Sequence, residues 1–435
     1  MKNATFYIES FGCQMNVYDS EVIASMLLED GYGAVSSPED ADVILVNTCS
    51  VREHAENRAI GRLADLTRYR DAVLAVCGCM AQRMGERLFQ LVPDVHVISG
   101  TDSYDRLPDI VGQALETGGR YTLLEKNDCI TYSLRPIASH CSATRYLSIT
   151  RGCENYCSYC IVPFLRGSVR SKDPRTILRE VGSMGSAGAK EVTLLGQNVM
   201  AYRAGKINFP GLIEKIINGS DIPRLRFLTS HPRDIRFEIF DLMAREKRVC
   251  PHIHLPLQSG SNRILRLMNR GYTRRQYLDI VRRARETVPD LAITTDIIVG
   301  FPSETESDYH ETVDLVEKVR FDAAFTFKYS PREGTAAASM DDDVPTAVKK
   351  ERLHDLNETI GEIRREVLRE QLGSETEIVL DGSVQKREYH FWKGRSPHFR
   401  NVLISGNHVR EGDIVRVRLR ELRNFTFIGE ELVRR

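Results

Sequence analysis

The sequence predicts an α/β protein of several domains, with a parallel sheet first, an incomplete β/α barrel next and a small antiparallel β-barrel last. Short apolar runs alternate with amphipathic helical patterns across residues 1–125 and again across 139–371. Such alternation is typical of parallel sheets covered by helices. Residues 372–435 instead contain five short strand candidates separated by glycine or charged turns, which favours a small barrel.

Length and composition indicate an ordinary globular protein. With 435 residues, 42% hydrophobic and 28% charged, two or three domains are expected. Sixty basic side chains balance sixty acidic ones, so the overall charge neither requires nor excludes a nucleic acid partner. The N-terminus lacks a signal-peptide pattern and no apolar stretch is long enough to cross a bilayer. We therefore expect a cytoplasmic protein without a membrane partner, whose ten cysteines favour metal ligation over disulfides.

Residues 1–125 are expected to form a Rossmann-like domain. Four strands are predicted, at residues 5–8, 43–46, 73–76 and 95–98. One helix is predicted to open at Asp19 or Ser20, and two more to cover residues 54–69 and 82–91. Strands that alternate with helices in this way predict a parallel sheet with helices on both faces.

Three cysteines of this domain, Cys13, Cys49 and Cys79, each follow a predicted strand and precede a helix. Because the carboxyl ends of parallel strands form one crevice, these thiolates could converge there on a metal site. Scattered buried thiols are the alternative. Gly12 and Gly78 stand directly before two of the cysteines, where they allow tight turns and close backbone approach.

Four other cysteines are not expected to bind metal. Cys77 competes with Cys79 for the third position, but it ends an apolar run and should point into the sheet packing. Cys129 and Cys141 lie in or near a polar linker predicted at residues 126–138 and match no ligand motif. Cys250 has no evident partner.

Residues 139–371 contain six predicted strand–helix units. The strands are predicted at residues 146–149, 192–195, 225–228, 253–257, 292–299 and 323–327, with helices at 173–184, 273–288, 305–319 and, last, 346–372. Six parallel units suggest a partial (β/α)6 barrel whose function lies at the carboxyl ends of the strands.

A compact cysteine run follows the first of these strands. In RGCENYCSYCIVPFLRG, Cys153, Cys157 and Cys160 are spaced C-x3-C-x2-C. Three thiolates this close can hold three irons of a [4Fe-4S] cluster and leave the fourth iron open to an outside ligand. A zinc site, which normally has four protein ligands, and buried free thiols are the alternatives.

Polar side chains follow other strands of the predicted barrel. They converge on one rim and comprise Gln197, Asn198, Gln258, Ser259 and Asp296, with a further polar loop at residues 229–232. His252 and His254 alternate on the fourth strand and should face the same side. We interpret them as hydrogen-bonded histidines of the core or the site, since a third metal ligand is not evident.

Residues 372–435 combine aromatic and basic side chains. Strands are predicted at 375–380, 390–392, 401–404, 414–419 and 425–428. The interleaved residues are Tyr389, Phe391, Trp392 and Phe399 with Lys386, Arg387, Lys393, Arg395 and Arg400. Such a mixture can bind phosphates and stack unpaired bases, although the aromatic rings could simply fill the barrel.

Together these motifs resemble the radical S-adenosylmethionine (SAM) methylthiotransferases. The resemblance rests on FGCQMN, the cysteine run with its flanks, and LGQNVMAY, and the last segment resembles a TRAM domain. It implies a SAM-binding [4Fe-4S] cluster on the three cysteines of the run, whose reduction cleaves SAM to a 5′-deoxyadenosyl radical. It also implies a second [4Fe-4S] cluster on Cys13, Cys49 and Cys79. The segments LLGQN, HLPLQSGS and DIIVGFPSET should surround SAM and substrate, which makes Gln197, Asn198, His254, Gln258, Ser259 and Asp296 the candidate cofactor-binding residues.

The implied activity is addition of a methylthio group to C2 of N6-isopentenyladenosine beside a tRNA anticodon. The implied partners are the tRNA anticodon stem-loop and an external electron donor such as flavodoxin or ferredoxin. Two alternatives remain open. One is a sister methylthiotransferase that acts on threonylcarbamoyl-adenosine in tRNA or on a ribosomal-protein aspartate, and the other is a non-catalytic iron–sulfur RNA-binding protein that senses redox state.

Overall fold

The computed structural model describes residues 4–50, 53–127, 142–386, 389–406 and 408–432. Most of the predicted linker, together with Cys129, Cys141 and Arg387, lies outside these ranges. Within them, no helix combines the length and the apolar character needed to cross a membrane.

The first sheet has six parallel strands in the order β2-β1-β3-β4-β5-β6. They are β1 (Thr5–Ser10), β2 (Gly33–Ala34), β3 (Val43–Thr48), β4 (Val73–Gly78), β5 (Val95–Ser99) and β6 (Tyr121–Leu123). The helices are α1 (Gln14–Glu29), α2 (Glu53–Leu66), α3 (Cys79–Met84), α4 (Arg87–Leu91) and α5 (Leu107–Thr117). The four predicted strands are confirmed, whereas β2 and β6 are too short to show a periodic pattern.

Two helix starts differ from the prediction. Helix α1 begins at Gln14, not at Asp19 or Ser20, and α3 begins at Cys79, with Gly85 at φ +52° separating it from α4. Aspartate and serine are favoured helix caps, but Asp19 is fully buried and bound by arginines from the next domain. Its role is therefore tertiary.

The second unit has six parallel strands in two groups, β7-β10-β13 and β14-β15-β16, which an isolated bridge from Leu225 to Val249 connects. Together with four short accessory strands, the strands of this unit are β7 (Thr144–Ser148), β8 (Thr150–Arg151), β9 (Arg170–Ser171), β10 (Glu191–Leu195), β11 (Arg203–Ala204), β12 (Ile207–Asn208), β13 (Arg224–Phe227), β14 (His252–His254), β15 (Ala292–Val299) and β16 (Ala323–Lys328). The pattern confirms the predicted partial barrel, and β8, β9, β11 and β12 form two small accessory ladders.

Capping side chains mark the starts of three helices of this unit. They are α6 (Val162–Arg166), α7 (Pro174–Ser186), α8 (Phe209–Gly219), α9 (Glu238–Arg245), α10 (Asn262–Leu267), α11 (Arg274–Thr287), α12 (Glu306–Val319) and α13 (Thr346–Arg369). Asp173, Thr273 and Thr305 each accept a hydrogen bond from the backbone N–H three residues later. These caps explain why the starts of α7, α11 and α12 agree with the prediction.

The last unit is a closed barrel in the order β17-β18-β19-β21-β20. Its strands are β17 (Glu375–Lys386), β18 (Tyr389–Arg395), β19 (Asn401–Ile404), β20 (Ile414–Arg423) and β21 (Thr426–Glu431). Four strand pairings are antiparallel, but β19 and β21 pair in parallel. The expectation of a wholly antiparallel barrel is thus corrected, because closure brings these two strands together in the same direction.

The barrel packs on the amino ends of the core strands through the loop between β18 and β19. The ring of Phe399 stacks on His252, with 4.9 Å between centroids. Arg226 donates to the Pro397 carbonyl at 3.0 Å, and Arg400 pairs with Asp322 at 2.8 Å. Phe399 and Arg400, expected among the RNA-contacting residues, therefore hold the barrel against the core.

Candidate iron–sulfur sites

The N-terminal cysteine group, Cys13, Cys49 and Cys79, follows three neighbouring strands, β1, β3 and β4. Cys13 is exposed, whereas Cys49 and Cys79 are buried. A hydrogen bond from the Cys49 side chain lowers the pKa of the Cys13 thiol to about 6, and the charge of Arg166 acts in the same direction. The thiols of Cys13 and Cys49 are thus within hydrogen-bonding distance of each other.

The glycine before Cys13 permits this close approach. Gly12 has φ +120°, and a Cβ atom there would stand 2.3 Å from the Cys49 Cβ. Gly78, before Cys79, has φ +95°, and its Cβ would stand 2.5 Å from the Thr48 carbonyl oxygen. Both positions therefore need glycine for conformation and for space, as the sequence predicted.

Cys77 points away from the group. It is fully buried in the sheet core, and its thiol lies 3.7 Å from the Val46 carbonyl oxygen. Burial raises its pKa, so it stays a neutral thiol. Cys79 lies beyond the strand, as the first residue of α3, and packs on Ile161 and Leu165. The expected orientation of Cys77 is confirmed.

The core cysteine group, Cys153, Cys157 and Cys160, occupies the loop between β8 and α6. The backbone N–H of Cys153 donates to the Gly167 carbonyl at 3.1 Å, and that of Cys160 to the Cys157 carbonyl at 2.9 Å. Burial raises the pKa of Cys160 to about 12. Tyr156, inside the run, has φ +45°, a strained value for a bulky residue and one that clusters at functional sites.

Cys157 receives two donors, of which sequence reasoning missed Arg270, while His231 belongs to the polar loop predicted at residues 229–232. Arg270 Nη1 lies 3.3 Å and His231 Nε2 lies 3.9 Å from its Sγ. His231 Nδ1 accepts from the Arg233 backbone N–H at 3.2 Å, so in the neutral ring Nε2 carries the hydrogen. Burial, with the charge of Arg270, lowers the pKa of His231 to about 2. Arg270 lies between two helices and belongs to no motif, so no sequence signal pointed to it.

The arrangement of these side chains bears on the zinc alternative. A zinc ion needs four ligands around one point, but across the described ranges no three His, Cys, Asp or Glu side chains stand close enough to hold one ion. In a [4Fe-4S] cluster each thiolate binds a different iron, so the sulfur atoms are farther apart. Among the described residues the structure therefore shows no preformed site for a single ion.

Of the expected SAM-binding residues, Gln197 contacts the core cysteine loop directly and Asn198 is connected to it through Asp234. Gln197 accepts through Oε1 from the Gly152 backbone N–H at 2.7 Å. Asn198 donates through Nδ2 to Asp234 at 2.6 Å, and Asp234 also accepts from Asn155 of the cysteine loop at 3.2 Å. The loop after β10 therefore braces the cysteine run.

His254 and Asp296 form a polar pair across β14 and β15. His254 Nε2 lies 3.2 Å from Asp296 Oδ2, and His254 Nδ1 lies 3.0 Å from Thr294 Oγ1. His252 Nε2 lies 3.0 Å from the same hydroxyl. Both histidines are thus hydrogen-bonded on one face, as expected from their alternation.

Gln258 and Ser259 differ in their surroundings. Gln258 has φ +67° and is buried, and its Oε1 has no hydrogen-bond partner among the described residues. Asn198 Oδ1 is buried and unpartnered in the same sense. Ser259 is fully buried, and its hydroxyl lies 3.4 Å from that of Thr312 on α12. Two acceptors thus remain for a ligand, while Ser259 supports the loop from behind.

The two cysteine groups meet across the boundary between the first two sheets. Ile161, directly after Cys160, packs with Leu165 on Cys79. Arg166, at the end of α6, donates through Nε to Cys79 Sγ at 3.3 Å. The loop that carries one group therefore forms a wall of the other, which no spacing in the sequence could reveal.

Comparison with known proteins agrees with this architecture. Residues 147–316 match the model of the radical SAM superfamily, and residues 5–100 match that of an uncharacterized protein family, UPF0004. The chain is 42% identical to the tRNA-2-methylthio-N(6)-dimethylallyladenosine synthase of Caldicellulosiruptor saccharolyticus, over 99% of this chain and 93% of that protein. The synthase of Bacillus subtilis is 40% identical over 98% of this chain and 85% of that protein. The chain belongs to the tRNA-2-methylthio-N(6)-dimethylallyladenosine synthase family. The expected resemblance to radical SAM methylthiotransferases is thereby confirmed.

Solved structures share the fold. The radical SAM methyltransferase TsrM from Kitasatospora setae matches with a TM-score of 0.60 at 14% identity, over 78% of this chain and 75% of that one. The cobalamin-dependent radical SAM enzyme OxsB matches with a TM-score of 0.56 at 13% identity, over 83% of this chain and 56% of that one. At such identities the likeness concerns the fold alone.

Proposed function

We propose that this member of the synthase family adds a methylthio group to C2 of N6-isopentenyladenosine, also called N6-dimethylallyladenosine, beside the anticodon of tRNA. The observation that carries the proposal is the meeting of two three-cysteine groups at Cys79 and the loop of residues 153–166. A reaction that needs both a radical and a sulfur source would use two such sites side by side. The names of relatives at 40–42% identity agree with it.

The donor sets suit two [4Fe-4S] clusters. Cys153, Cys157 and Cys160 would hold one, and Cys13, Cys49 and Cys79 the other. In each case one iron stays open, since three thiolates bind three irons. When bound, the first cluster with SAM would supply a carbon-centred radical, and the second would supply the sulfur of the methylthio group. A radical is suited to an aromatic C–H bond, which acids, bases and nucleophiles leave intact.

The chain's own residues would bind and orient these groups. Gln197 fixes the backbone at Gly152, next to the first ligand of the core group. The unpartnered oxygens of Asn198 and Gln258 are suited to accept from the ammonium group of SAM, because a buried acceptor without a donor is costly. His254 and Asp296 offer a polar pair beside them. Ser259 would act through the loop backbone.

The tRNA would contact the last unit. Arg365, Arg369 and Phe425 line a pocket between α13 and the barrel. Two guanidinium groups beside an aromatic ring can hold a phosphate and an unpaired base. This pocket, with the half-buried strand β18, is the RNA-binding surface that we propose, and we retain the TRAM assignment for the barrel.

The remaining parts of the proposal concern organisation. Residues 1–125, 139–371 and 372–435 are assigned as cluster domain, radical SAM core and TRAM domain, joined by a linker at 126–138. The groups β1–β6, β7–β16 and β17–β21 lie inside these bounds, which supports the division. A flavodoxin- or ferredoxin-type donor would supply electrons, and the reaction would take place in the cytoplasm with tRNA.

Mass spectrometry of tRNA nucleosides tests the function. A deletion strain should lack 2-methylthio-N6-isopentenyladenosine and accumulate N6-isopentenyladenosine, and the wild-type gene should restore the product. A Cys250→Ala gene is the matched control and should also restore it, since that thiol lies outside both groups. Loss of the methylthio derivative of threonylcarbamoyl-adenosine instead would favour the sister enzyme. Unchanged tRNA nucleosides would favour the redox sensor or the ribosomal-protein aspartate.

A further inference from the structure

Arg166 connects the two candidate sites. It is the last residue of α6, six positions after Cys160 in the sequence, and its side chain is 4% exposed. Its Nε donates to Cys79 Sγ at 3.3 Å, and its Nη2 donates to Asp19 Oδ2 at 3.1 Å. A side chain from the core loop therefore reaches a thiol of the N-terminal group.

Asp19 fixes this arginine from the other side. Its carboxylate is fully buried and also binds Arg151, which precedes the core cysteine run. The two arginines that flank the cysteine loop thus end on one carboxylate of α1. Because Asp19 divides its single negative charge between two guanidinium groups, it does not neutralise Arg166 alone.

Arg166 is incompletely satisfied as it stands. Among the described residues, its Nη1 is buried without a hydrogen-bond partner. A buried cation is costly unless anions pair with it and its donors are used. Thiolates that bind iron carry negative charge, and charge-assisted hydrogen bonds to sulfur are strong. The surroundings of Arg166 are therefore arranged for an anionic group at Cys79.

We propose that Arg166 is a positioning residue for the second cluster, supplying from the core loop the positive charge and the hydrogen bond that this cluster needs. The inference rests on the proposed function, specifically on a cluster at Cys13, Cys49 and Cys79. It adds that the N-terminal domain does not complete its own site. A hydrogen bond and a positive charge near cluster sulfur favour the reduced, more negative state, so Arg166 raises the reduction potential.

The test uses the full chain with Cys153, Cys157 and Cys160 changed to Ala, so that the second cluster alone is measured. After anaerobic reconstitution, iron content and the midpoint potential are determined, the latter by a redox titration followed by electron paramagnetic resonance. Arg166→Gln in this background should shift the potential to a more negative value. Arg166→Lys, which keeps the charge, should shift it less.

Arg151→Gln is the matched control, because it removes an arginine from the same carboxylate and leaves the bond to Cys79 in place. It should shift the potential less than Arg166→Gln does. An unchanged potential in Arg166→Gln, or an equal shift in Arg151→Gln, would overturn the inference while leaving the proposed function intact. No iron in the parent background would instead overturn the second site itself, and the inference with it.

A variant that loses its iron is also informative. If Arg166→Gln binds no iron but keeps the circular dichroism spectrum of the parent, Arg166→Lys decides the matter. Iron retained in the lysine variant supports the role of the charge. Iron lost from both variants means that packing at Cys79 is what matters, and the inference is then wrong.

Discussion

Arg270 donates to Cys157 Sγ at 3.3 Å, and Arg166 donates to Cys79 Sγ at the same distance. Among the described residues, each candidate cluster site therefore has a buried arginine that donates to one of its three thiols. Both arginines come from the core domain, although one of the thiols belongs to the N-terminal sheet. The two sites are therefore alike in that an arginine of the core domain donates a hydrogen bond to one cysteine of each.

Iron content gives the first prediction. Protein reconstituted without oxygen should hold about eight irons, as two four-iron clusters require. Changing Cys153, Cys157 and Cys160 together to Ala should remove about half of the iron and all cleavage of SAM. Colorimetric iron analysis and chromatography of 5′-deoxyadenosine provide the measurements. Full iron retention in the triple variant would contradict the assignment of the core group.

The second prediction separates the roles of the two groups. Changing Cys13, Cys49 and Cys79 to Ala should abolish methylthioadenosine formation but leave reductive cleavage of SAM to 5′-deoxyadenosine. Cys77→Ala is the control and should cost only roughly 1 kcal/mol of stability, since its thiol fills the sheet core. A triple variant that still modifies tRNA would show that sulfur is held elsewhere, and product loss in Cys77→Ala would make that residue the third ligand.

A third prediction concerns Gly12. Gly12→Ala places a Cβ atom 2.3 Å from the Cys49 Cβ at a φ of +120°, so the N-terminal site must distort. We expect about half of the iron to be lost, all from the second cluster. Gly118→Ala is matched in kind, with φ +64° but nothing within 4 Å of the new Cβ, and should keep its iron. Equal iron contents in the two variants would show that the Cys13–Cys49 approach is not needed.

The fourth prediction tests the contact between barrel and core. Phe399→Ala removes the ring that stacks on His252 and should lower stability by on the order of 2 kcal/mol, less than a fully buried ring would. Thermal unfolding measures the change. Phe325→Ala removes a ring that is 49% exposed and should have a much smaller effect. The reverse order would contradict the proposed anchoring role.

RNA binding is the subject of the fifth prediction. Changing Arg365 and Arg369 to Gln should weaken tRNA binding, and each lost phosphate contact should reduce the salt dependence by about 1 in the logarithmic slope. Fluorescence anisotropy at several salt concentrations measures both quantities. Arg282→Gln, an exposed arginine on α11, should change neither. Equal binding by the double variant and wild type would place the RNA surface elsewhere.

The sequence predicted elements where local signals agree with the fold. The predicted starts of α7, α11 and α12 agree with the structure, in which Asp173, Thr273 and Thr305 cap these helices, and all six predicted core strands are present. Asp19 is wrongly predicted as a possible helix start, because a residue type that favours caps is here a buried partner for two arginines. Only tertiary structure distinguishes the two uses.

The same limit applies to the sites. Strand-end positions indicated the cysteines and the amides of Gln197 and Asn198. Arg166, Arg270 and His231 contact those cysteines from distant positions without a fixed spacing. Phe399 has the composition of an RNA-binding residue, yet a neighbouring domain takes its ring. Residue type limits the interactions that a side chain can make, and the tertiary structure determines which of them it makes.

The barrel meets the core at the amino ends of the strands, beside His252 and Asp322, whereas the cysteine loop lies at the carboxyl ends. The eight residues of β15 span roughly 25 Å at about 3.3 Å per residue. A ligand that touches both ends must span that length. A double-helical stem does so, while a free nucleoside reaches one end only. The RNA surface that we propose on the barrel and the cysteine loop thus lie at opposite ends of the core strands, and one RNA that contacts both would have to bridge that distance.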